Sequence, residues 1–85
     1  MNRSYAVVIR RMERNYSADC PDVRGCVATG RTIDETLRRM RSALSMHIRG
    51  LREDGHPAPR AVTPLSKLVR RNGADQIYAV LSVAA

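Results

Sequence analysis

The side chains that could carry out acid-base or metal chemistry are few in this chain of 85 residues and are spread along it. General acid-base catalysis needs titratable groups held together in a cleft, and the candidates are Asp19, Asp22, Asp34, Glu35, His47 and His56. Asp22 lies in a turn motif, Glu35 in a helix-capping motif and His47 beside the apolar face of a helix. These roles are structural, so we predict that the chain has no catalytic residue.

The two cysteines, Cys20 and Cys26, do not lie at a spacing that would complete a four-ligand metal site with either histidine. We interpret them as small buried hydrophobic residues. A disulfide between them is geometrically possible if the turn folds back, but a reducing compartment disfavours it. The sequence has no phosphate-binding glycine loop and no serine nucleophile motif. We therefore predict no metal site and no cofactor.

Arginine is the residue type with the strongest pattern. Lys and Arg number 15 against eight acids, which gives a net charge of +7, and every cation except Lys67 is arginine. Four of them repeat along one predicted helix at spacings that place them on one side: Arg38, Arg41, Arg49 and Arg52. Such a stripe can lie along phosphate groups or a partner's acids. It can equally form a solvated rim whose methylene groups cover the apolar edge of the helix, and both interpretations stay open.

Three strands are predicted in the first 30 residues. Residues 4–10 carry apolar side chains on both faces, which is typical of a central strand. Residues 16–20 alternate apolar and polar and should form a hairpin with the first strand. Turn-forming residues follow, and the segment 26–30 returns as a third short strand, which completes an antiparallel meander.

A long helix and a short helix are predicted next. Thr32 and Glu35 form a capping box, in which the carboxylate of Glu35 should reach back to the amide of Thr32. Apolar residues at spacings of three and four then form a stripe that must pack on the sheet: Ile33, Leu37, Met40, Leu44, Ile48 and Leu51. In the segment 61–73 we predict a second helix, with Thr63 as its N-cap and Pro64 at its first position.

The last segment, residues 76–84, reads as an apolar strand that should be buried on both sides. A right-handed crossover would place it parallel to the first strand and beside it. The predicted fold class is therefore α+β, in the order β-β-β-α-(α)-β, with one long helix on one face of an open sheet. We expect one domain over residues 1–85, and a chain this short is often completed by a second copy, so a dimer or tetramer is expected.

Three segments give the chain a family resemblance: YAVVIRR, NYSADCPDVRGCVATGRTIDETLRRMRSAL and LREDGHPAP. In order and spacing they resemble the HicB-like antitoxin family, in which a Tyr-rich strand pair leads through a Pro-Asp-Leu-Pro-Gly-Cys turn to a Thr-capped helix. Val23 and Arg24 stand where the family usually has Leu-Pro. The positions that match the family motif are Pro21, Asp22, Gly25, Cys26, Gly30 and Thr32.

The resemblance implies a fold and a function. It implies a partial RNase H-like arrangement without the acidic metal ligands of a nuclease. It also implies a non-catalytic protein that neutralises HicA, a small basic toxin that cleaves messenger RNA. Like charges would repel the two proteins unless acids gather at the contact, and the acids available are Asp19, Asp22, Glu53 and Asp54. The resemblance covers no separate DNA-binding domain, and we predict none in this chain.

Two other functions compete with that of an antitoxin. One is a nucleic-acid-binding module that uses the arginine stripe, although its three tyrosines are not interleaved with the stripe for base stacking. The other is a ligand-binding or purely structural oligomer. The longest apolar run, residues 5–9, is too short to span a membrane, so we expect no membrane contact and a cytoplasmic location.

Overall fold

The fold is a four-stranded sheet with one helix on each face. The computed structural model describes residues 2–84 and contains, in chain order, β1 (Asn2–Arg11), β2 (Tyr16–Asp19), β3 (Val27–Gly30), α1 (Ile33–Glu53), α2 (Leu65–Asn72) and β4 (Ile77–Ala84). The strand order in the sheet is β3-β2-β1-β4. This confirms the predicted α+β class, the antiparallel meander and the position of the last strand beside the first. In the residues described, neither helix is long and apolar enough to cross a membrane.

β1 is the central strand, as its pattern predicts. Tyr5, Val7 and Ile9 are fully buried on the face that packs against α1. Ala6 and Val8 are buried on the other face, where they contact Leu68 of α2. Because both faces of β1 are covered, the strand needs apolar side chains at consecutive positions.

α1 begins at the predicted N-cap and packs on the sheet through the predicted stripe. The hydroxyl of Thr32 accepts a hydrogen bond from the amide of Glu35 at 3.0 Å. The carboxylate of Glu35 accepts from the amide of Arg31, at 3.2 Å, and not from that of Thr32. Three apolar side chains of the helix are completely buried, and each contributes about 1.5–3 kcal/mol through burial: Met40, Leu44 and Ile48.

β4 runs antiparallel to β1, so the predicted parallel pairing is wrong. The Cα partners run from Asn2 opposite Ala84 to Ile9 opposite Ile77. α1 ends near the Asn2 end of β1, and a strand that followed directly would have been parallel. α2 instead carries the chain back along the second face, where its last residue, Asn72, bonds Arg10 at 2.7 Å. The chain therefore enters β4 from the opposite end of the sheet.

β4 is buried on one face only, so the prediction that it is buried on both sides is wrong, while its position at the edge of the sheet agrees with the predicted strand order. Leu81 and Val83 are buried under α1, but Val80 on the opposite face is 53 % exposed. α2 has only eight residues, and it covers the second face around Val8 and Tyr78. The outer part of β4 therefore lies beyond the reach of α2.

Candidate interaction surfaces

The predicted arginine stripe lies on the side of α1 that faces the edge strand β4. We call its four residues the arginine row: Arg38, Arg41, Arg49 and Arg52. All four are exposed. They line two open grooves between α1 and β4, the first of which also contains Leu81 and the second Ala84. Within residues 2–84, no side chain of the row takes part in an ion pair or a hydrogen bond.

Three other arginines hold parts of the fold together. Arg10 pairs with Asp19 of β2 and also bonds Asn72 at the end of α2. Arg39 lies 3.3 Å from the Glu35 carboxylate and donates to the carbonyl of Thr29 at 3.1 Å. Arg3 donates to the carbonyl of Pro59 at 3.3 Å. The row has no such partner, so its charges are available to another molecule, and its position beside β4 distinguishes it from the other unpaired arginines of the described residues.

The opposite side of α1 carries one arginine, Arg39, which is paired with Glu35. An open depression there lies between the helix and the residues that lead into β3, and its lining contains no Asp, Glu, Lys or Arg. Met46 is 69 % exposed at this site, and His47 and Ala43 lie beside it on the helix. We call this the neutral side: Gly25, Cys26, Val27, Ala43, Met46 and His47. α1 therefore presents two surfaces of different chemistry, one cationic and one apolar.

Asp22, one of the motif positions, connects the β2–β3 turn to the segment before α2. Its carboxylate accepts from the amide of Thr63 at 2.9 Å and from the hydroxyl of Thr63 at 2.7 Å. The prediction that Thr63 caps α2 is therefore wrong, because its hydroxyl is engaged by Asp22. The N-cap is Pro64, which makes no side-chain capping bond.

The other motif positions lie in the turn before β3 and at the junction of β3 with α1. Gly25 has φ of +79°, a conformation that side chains with a Cβ rarely adopt. At Gly30, a Cβ atom would lie 2.6 Å from the hydroxyl of Thr36, so the end of β3 can approach α1 closely only without one. Cys26 is buried, Pro21 is half-buried, and Thr32 caps α1. These residues shape the turn and the strand-to-helix junction, and the structure brings none of them to the arginine row.

The thiols of Cys20 and Cys26 are free and buried, in agreement with their interpretation as small hydrophobic residues. Burial raises the pKa of both thiols above the ordinary value. Burial also raises the pKa of Tyr5, whose hydroxyl donates to the carbonyl of Pro59 at 2.7 Å. A protonated thiol is a poor nucleophile, so these cysteines are not suited to nucleophilic chemistry.

The acids proposed for a toxin contact are in different situations. Asp19 is paired with Arg10 and Asp22 is engaged by Thr63. Glu53 and Asp54 are exposed at the carboxyl end of α1. Over the described part of the chain, no three of the His, Cys, Asp and Glu side chains are grouped so that they could hold a metal ion.

Sequence reasoning found the arginine row but not its relation to an open strand edge. The periodicity of α1 places the four arginines on one side of the helix, and that signal is local. The position of β4 beside β1 was predicted, but its direction, which decides which of its residues lie next to the row, depends on the path of the chain through α2. No local pattern in the sequence carries that information.

Comparison with known proteins gives a consistent result. A family model for the HicB_like antitoxin of bacterial toxin-antitoxin systems matches residues 5–85. An uncharacterized 14.9 kDa protein from the rep-hol intergenic region of Haemophilus phage HP1 is 30 % identical over 67 residues. That match covers 79 % of this chain and 50 % of the phage protein, so the chain spans half the length of that relative.

Two solved structures share the fold. The crystal structure of the N-terminal domain of the Burkholderia pseudomallei antitoxin HicB aligns with a TM-score of 0.88 at 24 % identity, over 98 % of this chain and all of that one. A chain of the HicA3 and HicB3 toxin-antitoxin complex aligns with a TM-score of 0.74 at 18 % identity, again over 98 % of this chain and all of that one. At these identities the similarity establishes the fold.

Proposed function

The chain belongs to the HicB-like antitoxin family, and from that premise we propose that it binds and neutralises a small HicA-type toxin that cleaves messenger RNA, without catalysing a reaction itself. The observation that carries the proposal is the family match, which extends over residues 5–85. The chain that aligns in the complex of HicA3 with HicB3 supports it, because that fold occurs in an assembly with a toxin.

The surroundings of the titratable groups support a non-catalytic role. Asp19 and Asp22 are occupied by Arg10 and Thr63, and each of these contacts joins two parts of the fold. The thiols of Cys20 and Cys26 are buried and stay protonated at neutral pH, because burial raises their pKa. What the surface offers is shape, charge and apolar area, which are the requirements of a binding protein.

We further propose that the toxin contacts the neutral side of α1. A basic partner is repelled by the arginine row, and like charges brought together at an interface cost several kcal/mol. The lining of the neutral side has no charged residue, and the one arginine on that side of α1, Arg39, is paired with Glu35. The exposed Met46 offers a flexible apolar side chain of the kind that interfaces are enriched in. Glu53 and Asp54, exposed at the end of the same helix, can attract a basic partner from solution.

Co-expression tests the antitoxin proposal directly. The chain should restore the growth of cells that express a HicA-type toxin from the same genome, and the two proteins should purify together. A toxin that stays active and purifies alone at low and moderate salt would refute the proposal. Because electrostatic repulsion weakens at high ionic strength, the complex should tolerate salt well.

A second candidate function is nucleic-acid binding through the arginine row. It is favoured by one observation, namely that all four guanidinium groups are exposed and have no partner in residues 2–84. Binding to phosphates should weaken steeply as salt rises, with a slope set by the number of phosphates that are neutralised. Serine at the four positions should flatten that slope, and the absence of any shift with duplex RNA or DNA would exclude this function.

We also propose a homo-oligomer, a dimer or a tetramer, in the cytoplasm. The sheet has two edge strands, β3 and β4, and an exposed edge is a natural site for pairing with another chain. The free thiols fit a reducing compartment. Light scattering coupled to gel filtration measures the oligomer directly, and a monomer at micromolar concentration would contradict this proposal.

A further inference from the structure

We infer that the edge of β4 and the arginine row together form a binding site for an extended, acidic segment of a partner protein, which adds to the sheet as a fifth strand. The site lies on the opposite side of α1 from the neutral side. It shares only Glu53, at the end of α1, with the proposed toxin contact, and each can fail without the other.

The main-chain part of the site is the free edge of β4. β4 pairs with β1 along its whole length and is the last strand of the sheet on that side. An edge strand presents unpaired amide and carbonyl groups that can bind an extended peptide. Val80 and Ser82 are exposed on the face away from α1, so their side chains do not obstruct an added strand.

The side-chain part of the site is the arginine row. It borders the grooves between α1 and β4, which also contain Leu81 and Ala84. The acids Asp34 and Glu53 lie at the two ends of these grooves, and neither makes an ion pair with the row in the described residues. Four cations against two acids leave the site positive, which selects an acidic ligand.

The row lies beside the second half of β4. β4 has eight residues and is therefore about 27 Å long. The row extends along about 21 Å of helix axis, at about 1.5 Å per residue from Arg38 to Arg52. Side chains on one face of an added strand recur about every 6.7 Å. The grooves meet β4 at Leu81 and Ala84, so a segment whose backbone pairs with the second half of β4 can place acids at alternate positions beside the row.

A second copy of the chain is a poorer occupant of this edge. Two β4 strands paired antiparallel about a two-fold axis would place both α1 helices on the same face of a continuous sheet. The arginine row of each copy would then face that of the other across a single cleft. Like charges in such a position are destabilising, so self-association through β4 is disfavoured and β3 remains as the edge for it.

Single-stranded or duplex nucleic acid also fits the site less well than a peptide. Phosphates would pair with the guanidinium groups, but the amide and carbonyl groups at the edge of β4 would remain hydrogen-bonded to water. Among the tyrosines, Tyr5 is fully buried and Tyr78 packs with Val8 and Leu68, so neither can stack on a base in the grooves. A peptide engages both parts of the site.

The test uses a fluorescein-labelled peptide of about ten residues in which glutamate alternates with valine, and measures its anisotropy with the full chain at about 0.15 M salt. We expect saturable binding that is at least about tenfold weaker with the variant R41S/R49S. The matched control is R70S/R71S, which removes the same charge from two exposed arginines of α2 and should change Kd less than about threefold.

Backbone methylation of the peptide separates strand addition from charge attraction. In an extended peptide the amides of the glutamates point to one edge and those of the valines to the other. We therefore expect methylation of one of these two sets to weaken binding about tenfold or more, and methylation of the other to have little effect. Amide exchange in residues 77–84 should slow when the peptide is bound.

Four results would overturn the inference. Equal binding by both methylated peptides would mean charge attraction alone. Tighter binding of an oligonucleotide, with the same loss in R41S/R49S, would assign the row to nucleic acid. Amide exchange in β4 could slow as the protein concentration rises and stay unchanged when peptide is added. That result would assign the edge to a second copy. No binding at about 1 mM peptide would mean that the row only shields the edge.

Discussion

The carboxylate of Asp22 accepts two hydrogen bonds from Thr63, one from its amide and one from its hydroxyl, across 41 residues of sequence. This contact joins the β2–β3 turn to the segment that precedes α2. It also gives an aspartate at a motif position of the family a role in holding two parts of the fold together.

We predict that Asp22→Ala lowers the free energy of unfolding by about 1–3 kcal/mol, because the amide and hydroxyl of Thr63 lose a charged acceptor. Urea denaturation followed by circular dichroism measures this change. Asp75→Ala is the control, since Asp75 is exposed in the turn before β4 and should have an effect below about 0.5 kcal/mol. Equal effects of the two substitutions would contradict the role given to Asp22.

Gly30→Ala should destabilise the protein by about 1–3 kcal/mol. The added Cβ would lie 2.6 Å from the hydroxyl and 2.7 Å from the amide nitrogen of Thr36, and a backbone atom cannot move aside cheaply. Gly50→Ala is the opposite case, because nothing lies within 4 Å of its Cβ position in α1. There alanine should stabilise the helix by about 0.5–1 kcal/mol. Thermal unfolding of the two variants should therefore shift in opposite directions.

Stability should fall at alkaline pH because of the two thiols. Burial raises the pKa of Cys20 and Cys26 in the folded state, so the unfolded chain loses these protons at lower pH than the folded one. The stabilising contribution is complete below the thiol pKa of the unfolded chain, about 8.5, and decreases as pH rises towards the raised values. The free energy of unfolding should thus decline as pH rises above about 8.5, and less so in the variant C20A/C26A.

The same burial predicts slow reaction of the thiols with a labelling reagent. A cysteine placed at the exposed position Ser42 in the background C20A/C26A provides the control and should react at once. If the native thiols react as fast as the thiol introduced by Ser42→Cys, the native thiols are accessible to solvent.

Met46→Arg should weaken the toxin complex about tenfold or more, since it adds a cation at the proposed contact with a basic partner. Met12→Arg introduces the same change on another exposed methionine, 52 % accessible just after β1, and should leave the affinity within about threefold. Surface plasmon resonance with immobilised toxin measures both. If Met12→Arg is the more damaging substitution, the contact lies elsewhere.

The elements that a local pattern specifies could be predicted from the sequence. β1 has apolar residues at consecutive positions because helices cover both of its faces, and that density identifies a central strand. α1 is specified by its N-cap residue, Thr32, and by the apolar stripe that follows it, and both signals are local in the sequence. The arginine row follows from the same periodicity.

The elements that depend on distant partners could not be predicted. Thr63 precedes a proline in a pattern typical of an N-cap, yet its hydroxyl is taken by an aspartate far away in sequence. Val80 is apolar, but α2 is too short to cover it. The residues around Val80 in the sequence carry no information on the length of α2. The direction of β4 was missed for the same reason, because it depends on the path of α2.

The antiparallel pairing of β1 with β4 places Asn2 directly opposite Ala84. The Cα atoms of such partners are only about 5 Å apart, so a linker of a few residues can join them without distorting the ladder. New ends can then be opened in the exposed turn at residues 12–15. Residues 2 and 84 are therefore neighbours in the sheet. A circularly permuted chain that starts in this turn, and so lacks the β1–β2 connection, should reach the same structure.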